Sequence, residues 1–301
     1  PSFSIIFTQY PRDATALAYK AAKNKEELIV SVGGDGTLNE IVNGLMFFQE
    51  DHPKHTLPEI GILPQGTGGD FRRTLFPHHK PIAYIQSLCH AQAQTIDVGK
   101  ATCILDGKPY TRYFVNVLSV GLGGLVDQII HQFTHMEGKR AYFMAALQAL
   151  GKNILAPLHV ELSHPCQNHR TIDLSSRNLS ICNGSYFGGG MHIAPQASLQ
   201  DGLFHVVNFS TPYRLQLFTL SKALYQGEHL QRQDVQCFEA SHIKVAARSS
   251  LLTQRAPLDI DGEAVGLLPL EAFIVPNALS LRFPTAIEET SALFVQTPPE
   301  P

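Results

Sequence analysis

No apolar run in this 301-residue sequence approaches the roughly 20 residues that a bilayer-crossing helix needs. The longest candidate, Ala141 to Leu150, is short and follows Lys139 and Arg140, so it reads as a buried helix. Cysteine is sparse and scattered: the five residues Cys89, Cys103, Cys166, Cys182 and Cys237 contain no C-x-x-C pair. That spacing excludes a zinc ribbon or a thioredoxin-like site and leads one to expect a reduced, cytoplasmic protein. Excess positive charge is missing too. A formal net charge of −3 argues against a nucleic-acid partner held by broad electrostatics. A Walker A loop is absent, because Gly99-Lys100, Gly107-Lys108, Gly138-Lys139 and Gly151-Lys152 are followed by Ala, Pro, Arg and Asn rather than by Ser or Thr. The dinucleotide fingerprint fails as well, with Asn39 where its third glycine belongs.

What remains is an ordinary globular composition, 44% hydrophobic and 16% charged, on a chain long enough for two domains. Phe3, Ile5 and Phe7 alternate with smaller or polar neighbours and predict a strand over Ser2 to Thr8. Asp13 is placed to cap a helix whose Ala14, Leu17, Ala18 and Ala21 share a face. Leu28 to Val32 reads as a buried strand, broken by Gly33-Gly34-Asp35-Gly36-Thr37 and followed by a helix carrying Leu38, Ile41, Val42 and Leu45. A third strand, Ile60 to Leu63, runs into Gly66-Thr67-Gly68-Gly69-Asp70, and Phe71 to Leu75 begins another helix. Alternating strands and helices predict an α/β domain with a mainly parallel sheet over residues 1–93. Glycine-rich turns at two successive strand ends, each opening a helix, suit an anion: backbone N–H groups approach it closely and the helix dipole favours its charge.

From about Gln94 the pattern changes to short strands: Thr95 to Val98, Tyr113 to Val117, Leu158 to Leu162, Leu179 to Cys182, Leu203 to Phe209, Ile243 to Ala246 and Leu279 to Phe283. One helix, Arg140 to Leu150, interrupts them. This predicts a mainly antiparallel β domain over residues 94–284, followed by a tail, 285–301. Asp259, Asp261 and Glu263 stand at i, i+2 and i+4. In an extended segment they share one face, where crowding raises their pKa values and suits a proton acceptor. The competing reading is a solvated strand running into an Asp261-Gly262 turn. His131 and His135 have helical spacing, but Gln132 stands where a zincin needs Glu. Arg72, Arg73, His78, His79 and Lys80 form a small basic stretch that could meet phosphates or anionic headgroups.

The run GGDGTLNEIVNGL, Gly33 to Leu45, resembles the signature of the diacylglycerol kinase catalytic-domain family. GILPQGTGGDFRRTL, Gly61 to Leu75, is similar to the family's second loop, which usually has Asn where Gly69 stands. Phe114 to Gly124, Asn183 to Leu203, and Asp259 to Glu263 with the following Leu267 to Leu270 resemble its second domain. The resemblance implies an α/β nucleotide-binding domain followed by an antiparallel β-sandwich. It also implies transfer of a phosphate from ATP, with Mg²⁺, to the hydroxyl of a membrane lipid: diacylglycerol first, or a sphingosine- or ceramide-type lipid. A lipid-binding regulatory protein without ATP turnover is the reading from another class. Carried onto this chain, the nucleotide contacts would be Thr8, Gly33, Gly34, Asp35, Gly36, Thr37, Leu38, Asn39 and Thr67, with Asp35 linked to the phosphates through Mg²⁺. Glu263 becomes the proton acceptor, assisted by Asp261. Ser198, Asp201 and Leu203 would hold a structural Mg²⁺. Peripheral membrane contact, a cytoplasmic location and a homodimer are expected on the same ground. The family's additional first strand, with its Asn-Pro and glycine loop, has no match here. The expectation is therefore an N-terminally truncated nucleotide domain that binds ATP weakly.

Overall fold

A computed structural model describes residues 3–66, 69–75, 81–130, 132–133, 139–152, 154–211, 216–249 and 256–283. It opens with α1 (Asp13–Lys23), β1 (Leu28–Gly33), α2 (Asp35–Asp51), β2 (Glu59–Pro64), α3 (Asp70–Leu75) and α4 (Pro81–His90). β1 and β2 pair in parallel, Leu28 against Glu59 through Gly33 against Pro64, so both end at the same edge. The apolar stripe of α2 (Leu38, Ile41, Val42, Leu45, Phe48) is buried with Ile60 and Ile62 of β2 and with Ala14, Ala18 and Ala22 of α1. α1 lies close against α2, because any Cβ at Gly44 would collide with the carbonyl oxygen of Thr15.

Two expectations for this part change. Residues 3–9 form no strand: Phe3, Ile5, Ile6 and Phe7 are all well exposed, at 86, 72, 65 and 77%. Apolar alternation alone does not make a strand where no neighbour among the described residues completes its hydrogen bonds. Two strands, not three, therefore precede residue 90 among the described residues. Nor does the Asp13 side chain cap α1; it accepts the amide of Gln9 instead, at 2.8 Å. The helix start is held from α2, whose Glu40 takes the amides of Arg12 and Ala14 at 2.9 and 3.1 Å.

The remaining elements are β3 (Gln94–Leu105), β4 (Lys108–Phe114), β5 (Val117–Gly121), α5 (Leu122–Ile130), α6 (Lys139–Lys152), β6 (Ala156–His164), β7 (Gln167–Ser176) and β8 (Asn178–Cys182). Then come β9 (Tyr186–Phe187), β10 (Met191–His192), β11 (Phe204–Phe209), α7 (Gln216–Gln226), β12 (Val235–Ala240), β13 (His242–Ala247), β14 (Leu258–Ile260), β15 (Glu263–Ala264) and β16 (Leu267–Arg282). One antiparallel sheet runs β12-β11-β8-β5-β14-β15. The other contains β3, β4, β6, β7, β13 and β16 and continues through β16 into β2 and β1. Side chains of both inner faces, among them Phe114, Val160, Val245 and Leu270 against Leu118, Ile181, Phe204 and Leu258, form one core. The chain thus has the α/β and antiparallel β-sandwich layers that the pattern predicts.

β16 crosses the boundary between them. It pairs antiparallel with β3 and β13, and then lays Leu281 and Arg282 parallel to Ile60 and Gly61 of β2. The α/β sheet therefore takes its third strand from the end of the described chain. The strand expected over Tyr113 to Val117 is in fact two, β4 and β5, divided at Val115 and Asn116.

Gly44→Ala is expected to lower the unfolding free energy by about 1–3 kcal/mol, the usual cost of overpacking. A denaturant melt reads the change. An unaltered midpoint would mean that α1 and α2 do not meet there.

Candidate active site

The two glycine loops meet backbone to backbone. The amides of Gln65 and Gly66 donate to Gly33 O at 3.0 and 3.2 Å. A Cβ on Gly66 would collide with Gly34, and one on Gly34 would sit 3.3 Å from the Cα of Gly66. Only glycine permits that crossing. The first-turn amides of α2 lie beyond the intrahelical ladder and face outward, as at any helix start. Around them opens a pocket lined by Gly33, Gly34, Asp35, Leu38, Ile62, Gly66, Gly69, Phe71 and Arg72. The Thr37 hydroxyl packs against Gly33, 2.7 Å from where a Cβ would stand, while Gly36 has open space about it. Amides at the positive end of a 17-residue helix, beside glycines, are groups whose chemistry suits an anion.

Asp35 lines this pocket and also holds the second loop: its Oδ2 accepts the amide of Asp70 at 2.8 Å, at the start of α3. Burial pushes the Asp35 carboxyl up, against the amides of Asp70 and Phe71, which favour its charged form. Asp70 passes the connection on. Its Oδ1 accepts from Arg73 and its Oδ2 from the amide of Gly189, both at 2.8 Å. Gly188, Gly189 and Gly190 have φ of 62, 83 and 111°, so the tip of the β9–β10 hairpin is shaped for glycine and is moored to α3. Ser185 N–H reaches Thr74 Oγ1 at 2.9 Å to complete the attachment.

One turn along α2, Asn39 is 1% exposed and fully engaged. Its Nδ2 donates to Tyr113 O (3.0 Å) and to Asp261 Oδ2 (2.8 Å), and its Oδ1 accepts from Arg112 NH2 at 2.7 Å. The side chain of Asn39, expected at the nucleotide, does not line the pocket and ties α2 to the β domain. Asn43 does the same work, exchanging bonds with the Tyr113 amide and carbonyl at 2.9 and 3.0 Å. Thr8 is exposed in the irregular segment before α1 and does not line the pocket. Thr67 lies outside the described residues.

The acidic triplet does not share one face. Asp261 and Gly262 have φ of 50 and 85° and form the turn between β14 and β15. Each carboxylate goes its own way from there. Asp261 Oδ1 accepts the amides of Asn116 and Val117, and Oδ2 that of Val115 beside Asn39, all at 2.8–3.0 Å. Part of residue 261 reaches solvent at the turn, whereas its carboxylate is enclosed by these four donors. Burial lifts its pKa from 3.8 to about 6, and the four donors oppose the rise. Glu263 faces outward and pairs with the buried Arg112 at 2.7 Å. Asp259 is buried, accepts the Gly262 amide at 2.7 Å, and is held well above the usual carboxylate range by burial and by Asp127 beside it.

At the third expected site, Asp201 Oδ1 accepts the amide of Leu203 at 3.0 Å and Ser198 Oγ accepts that of Gln200 at 3.3 Å. Asp97, buried in β3, takes the amides of Gly202 and Asn277 at 2.7 and 2.8 Å. One carboxylate with backbone carbonyls is a donor set for a hard cation. No cluster of three or more acidic, His or Cys side chains suited to a metal occurs among the described residues, so a cation here would lean on carbonyls. His131 and His135 lie outside the described residues.

Sequence reasoning missed Arg112, Asn116 and Asp97. For Asp97 a signal existed, a carboxylate between Ile96 and Val98 in an apolar strand; Arg112 and Asn116 carried none.

A glycine pocket at the start of α2, fixed against a β-sandwich, is an arrangement to compare with kinases. Residues 1–101 match the diacylglycerol kinase catalytic domain and residues 116–283 the YegS C-terminal NAD kinase beta sandwich-like domain. The chain belongs to the diacylglycerol kinase catalytic-domain family and is a kinase of it. It is 29% identical over 264 residues to a diacylglycerol kinase of Bacillus subtilis, covering 86% of this chain and 78% of that one. With a diacylglycerol kinase of Staphylococcus carnosus it shares 25% over 291 residues, 95% and 86% of the two chains. The crystal structure of a diacylglycerol kinase from Bacillus anthracis superposes with a TM-score of 0.64 at 19% identity, over 94% of this chain and 85% of that one. That likeness is one of fold.

Two outcomes follow from this geometry. Asp35→Asn keeps an acceptor for α3 but removes the charge, whereas Asp35→Ala removes both. Phosphoryl transfer is expected to fail in both, and the melting temperature to fall only in the alanine variant. Equal melting of the two would mean that Asp35 does not hold the second loop. For Asp261, a folded pKa above the unfolded value means that the native state binds its proton more tightly. Its contribution is thus fully present below pH 3.8 and is lost as pH rises through about 6. Asp261→Asn should remove that slope from a plot of unfolding free energy against pH, and a slope unchanged in the variant would assign it to another group.

Proposed function

We propose that this kinase transfers the γ-phosphate of ATP to the free hydroxyl of diacylglycerol, giving phosphatidic acid and ADP. The observation that carries the reading is the glycine pocket at the start of α2, joined through Asn39 and Arg112 to Glu263. The match of both family models supports it, as do relatives named for this activity.

In the proposed reaction the lipid hydroxyl oxygen attacks the γ-phosphorus, the bond to the β-phosphate bridging oxygen breaks, and the hydroxyl proton passes to Glu263. Gly33, Gly34 and Gly36 bring backbone N–H groups to the phosphates, with Thr37 and Leu38 forming the adjoining wall. Thr8 and Thr67 remain part of the proposal as nucleotide contacts by family resemblance. A carboxylate offers about four lone-pair sites, so Asp35 has capacity for Mg²⁺ beyond the one bond it accepts from Asp70. When bound, Mg²⁺ would neutralise charge on the transferring phosphate. Asp261 assists by position: it fixes the turn that presents Glu263. Arg112 orients Glu263 at 2.7 Å. Asp201, with the carbonyls of Ser198 and Leu203, is proposed to hold the structural Mg²⁺.

The lipid is proposed to be met at a membrane surface; no helix among the described residues is long and apolar enough to cross one. Peripheral contact from the cytoplasmic side, by a homodimer, completes the proposal. Incubation with labelled ATP and a panel of diacylglycerol, sphingosine and ceramide is expected to label phosphatidic acid. Label on a sphingoid lipid alone would move the assignment to that kinase type, and no label on any lipid would leave a binding protein. Glu263→Gln should slow single-turnover transfer by about 10²- to 10⁴-fold while ATP binding is kept. An unaffected single-turnover rate would remove Glu263 from the chemistry.

A further inference from the structure

Nucleotide triphosphates carry several negative charges, and the pocket around the start of α2 offers them glycine amides, two apolar walls, the carboxylate of Asp35, and one full positive charge, that of Arg72. The neighbouring cation, Arg73, is committed to Asp70 at 2.8 Å. Among the described residues no carboxylate pairs with Arg72. Its guanidinium instead lies over Gly69: a Cβ there would stand 3.3 Å from Nε and 3.8 Å from NH2. The buried Tyr84 of α4 stands near enough for the Arg72 charge to act on its phenol, opposing the rise that burial causes. Gly69 has a φ of 64°, a conformation that asparagine also tolerates. A side chain at 69 would crowd the Arg72 guanidinium where it now lies, and the arginine would have to give way by a few tenths of an ångström or more.

We propose that Arg72 is a phosphate-binding residue of this site: its guanidinium, lining the pocket and seated on Gly69, grips the phosphate oxygens of the bound nucleotide. The inference rests on the nucleotide reading above and adds a residue to it. A guanidinium fork matches phosphate geometry and stays charged when partly desolvated. It supplies here the cation that a Walker lysine supplies elsewhere.

Calorimetric titration of the full chain with ATP, ADP and adenosine, without lipid, tests this. The wild type should favour ATP and ADP strongly over adenosine. Arg72→Gln should weaken ATP and ADP by about 10- to 100-fold, as expected for losing hydrogen bonds to a charged group, with adenosine unchanged; Arg72→Lys should recover part of the loss. Gly69→Asn should show the same phosphate-selective loss, and the double variant should be no worse than Arg72→Gln alone. ATP affinity equal to wild type in Arg72→Gln would overturn the proposal. So would an equal loss for adenosine, which would make the arginine merely structural. A wild type that binds ATP no better than adenosine would sink the nucleotide reading itself.

Discussion

Three consecutive amides, those of Val115, Asn116 and Val117, converge on one carboxylate, Asp261, with the Asn39 amide as a fourth donor. Buried backbone N–H groups need partners, and a strand could offer these three only by alternating them to either side. Pointing them at a single group breaks the chain into β4 and β5, which then enter different sheets. The same carboxylate occupies the turn between β14 and β15, so the crossing from one sheet to the other, the turn bearing Glu263 and the second turn of α2 are fixed at one point. Burying an acidic group costs free energy, and the raised pKa of Asp261 registers that cost. Four donors offset enough of it for the clamp to hold.

The signature Gly33 to Leu45 looks like a ligand motif and is mostly an assembly motif. Only its beginning faces the pocket. Glu40 starts α1 by taking two of its amides, Asn39 and Asn43 bind α2 to β4, and Gly44 lets the α1 backbone approach. A helix that meets a second glycine loop at its N-terminus, a β domain at its second turn and α1 along its flank has a demand on nearly every face.

Layer order was legible because it follows from local period: β1, α2 and β2 stand where the apolar spacing puts them, and the change to short strands near Gln94 marks the antiparallel part. The glycine pocket was legible for a similar reason, since its composition and its place at successive strand ends are both local. Other features depended on partners far away in sequence. Phe3, Ile5 and Phe7 alternate like a strand yet lie exposed, because alternation says nothing of whether a neighbour exists. β16 reaches back more than 200 residues to β2, and no local pattern carries that pairing. Asn39 could be read equally as a phosphate contact or as an inward anchor until β4 and Asp261 were placed beside it. Asp259, Asp261 and Glu263 were noticed as a group, but a left-handed Asp-Gly turn sends their side chains to three different partners.

The first turns of α2 therefore act as a ruler. Asp35 and Asn39 are four residues apart, about 6 Å along a helix axis at 1.5 Å per residue. Asp35 is bound into the phosphate pocket and Asn39 into the Arg112–Glu263 pair. A helical turn is stiff, so the separation of phosphate cradle and acidic side chain does not depend on a loop. A second path runs from Asp35 through Asp70 to the Gly188–Gly190 tip, with the Ser185 amide on Thr74 as a further tie between α3 and the hairpin segment. Phosphoryl transfer needs in-line placement of donor and acceptor. In the reaction proposed above, the helical arm would set the distance between nucleotide and base.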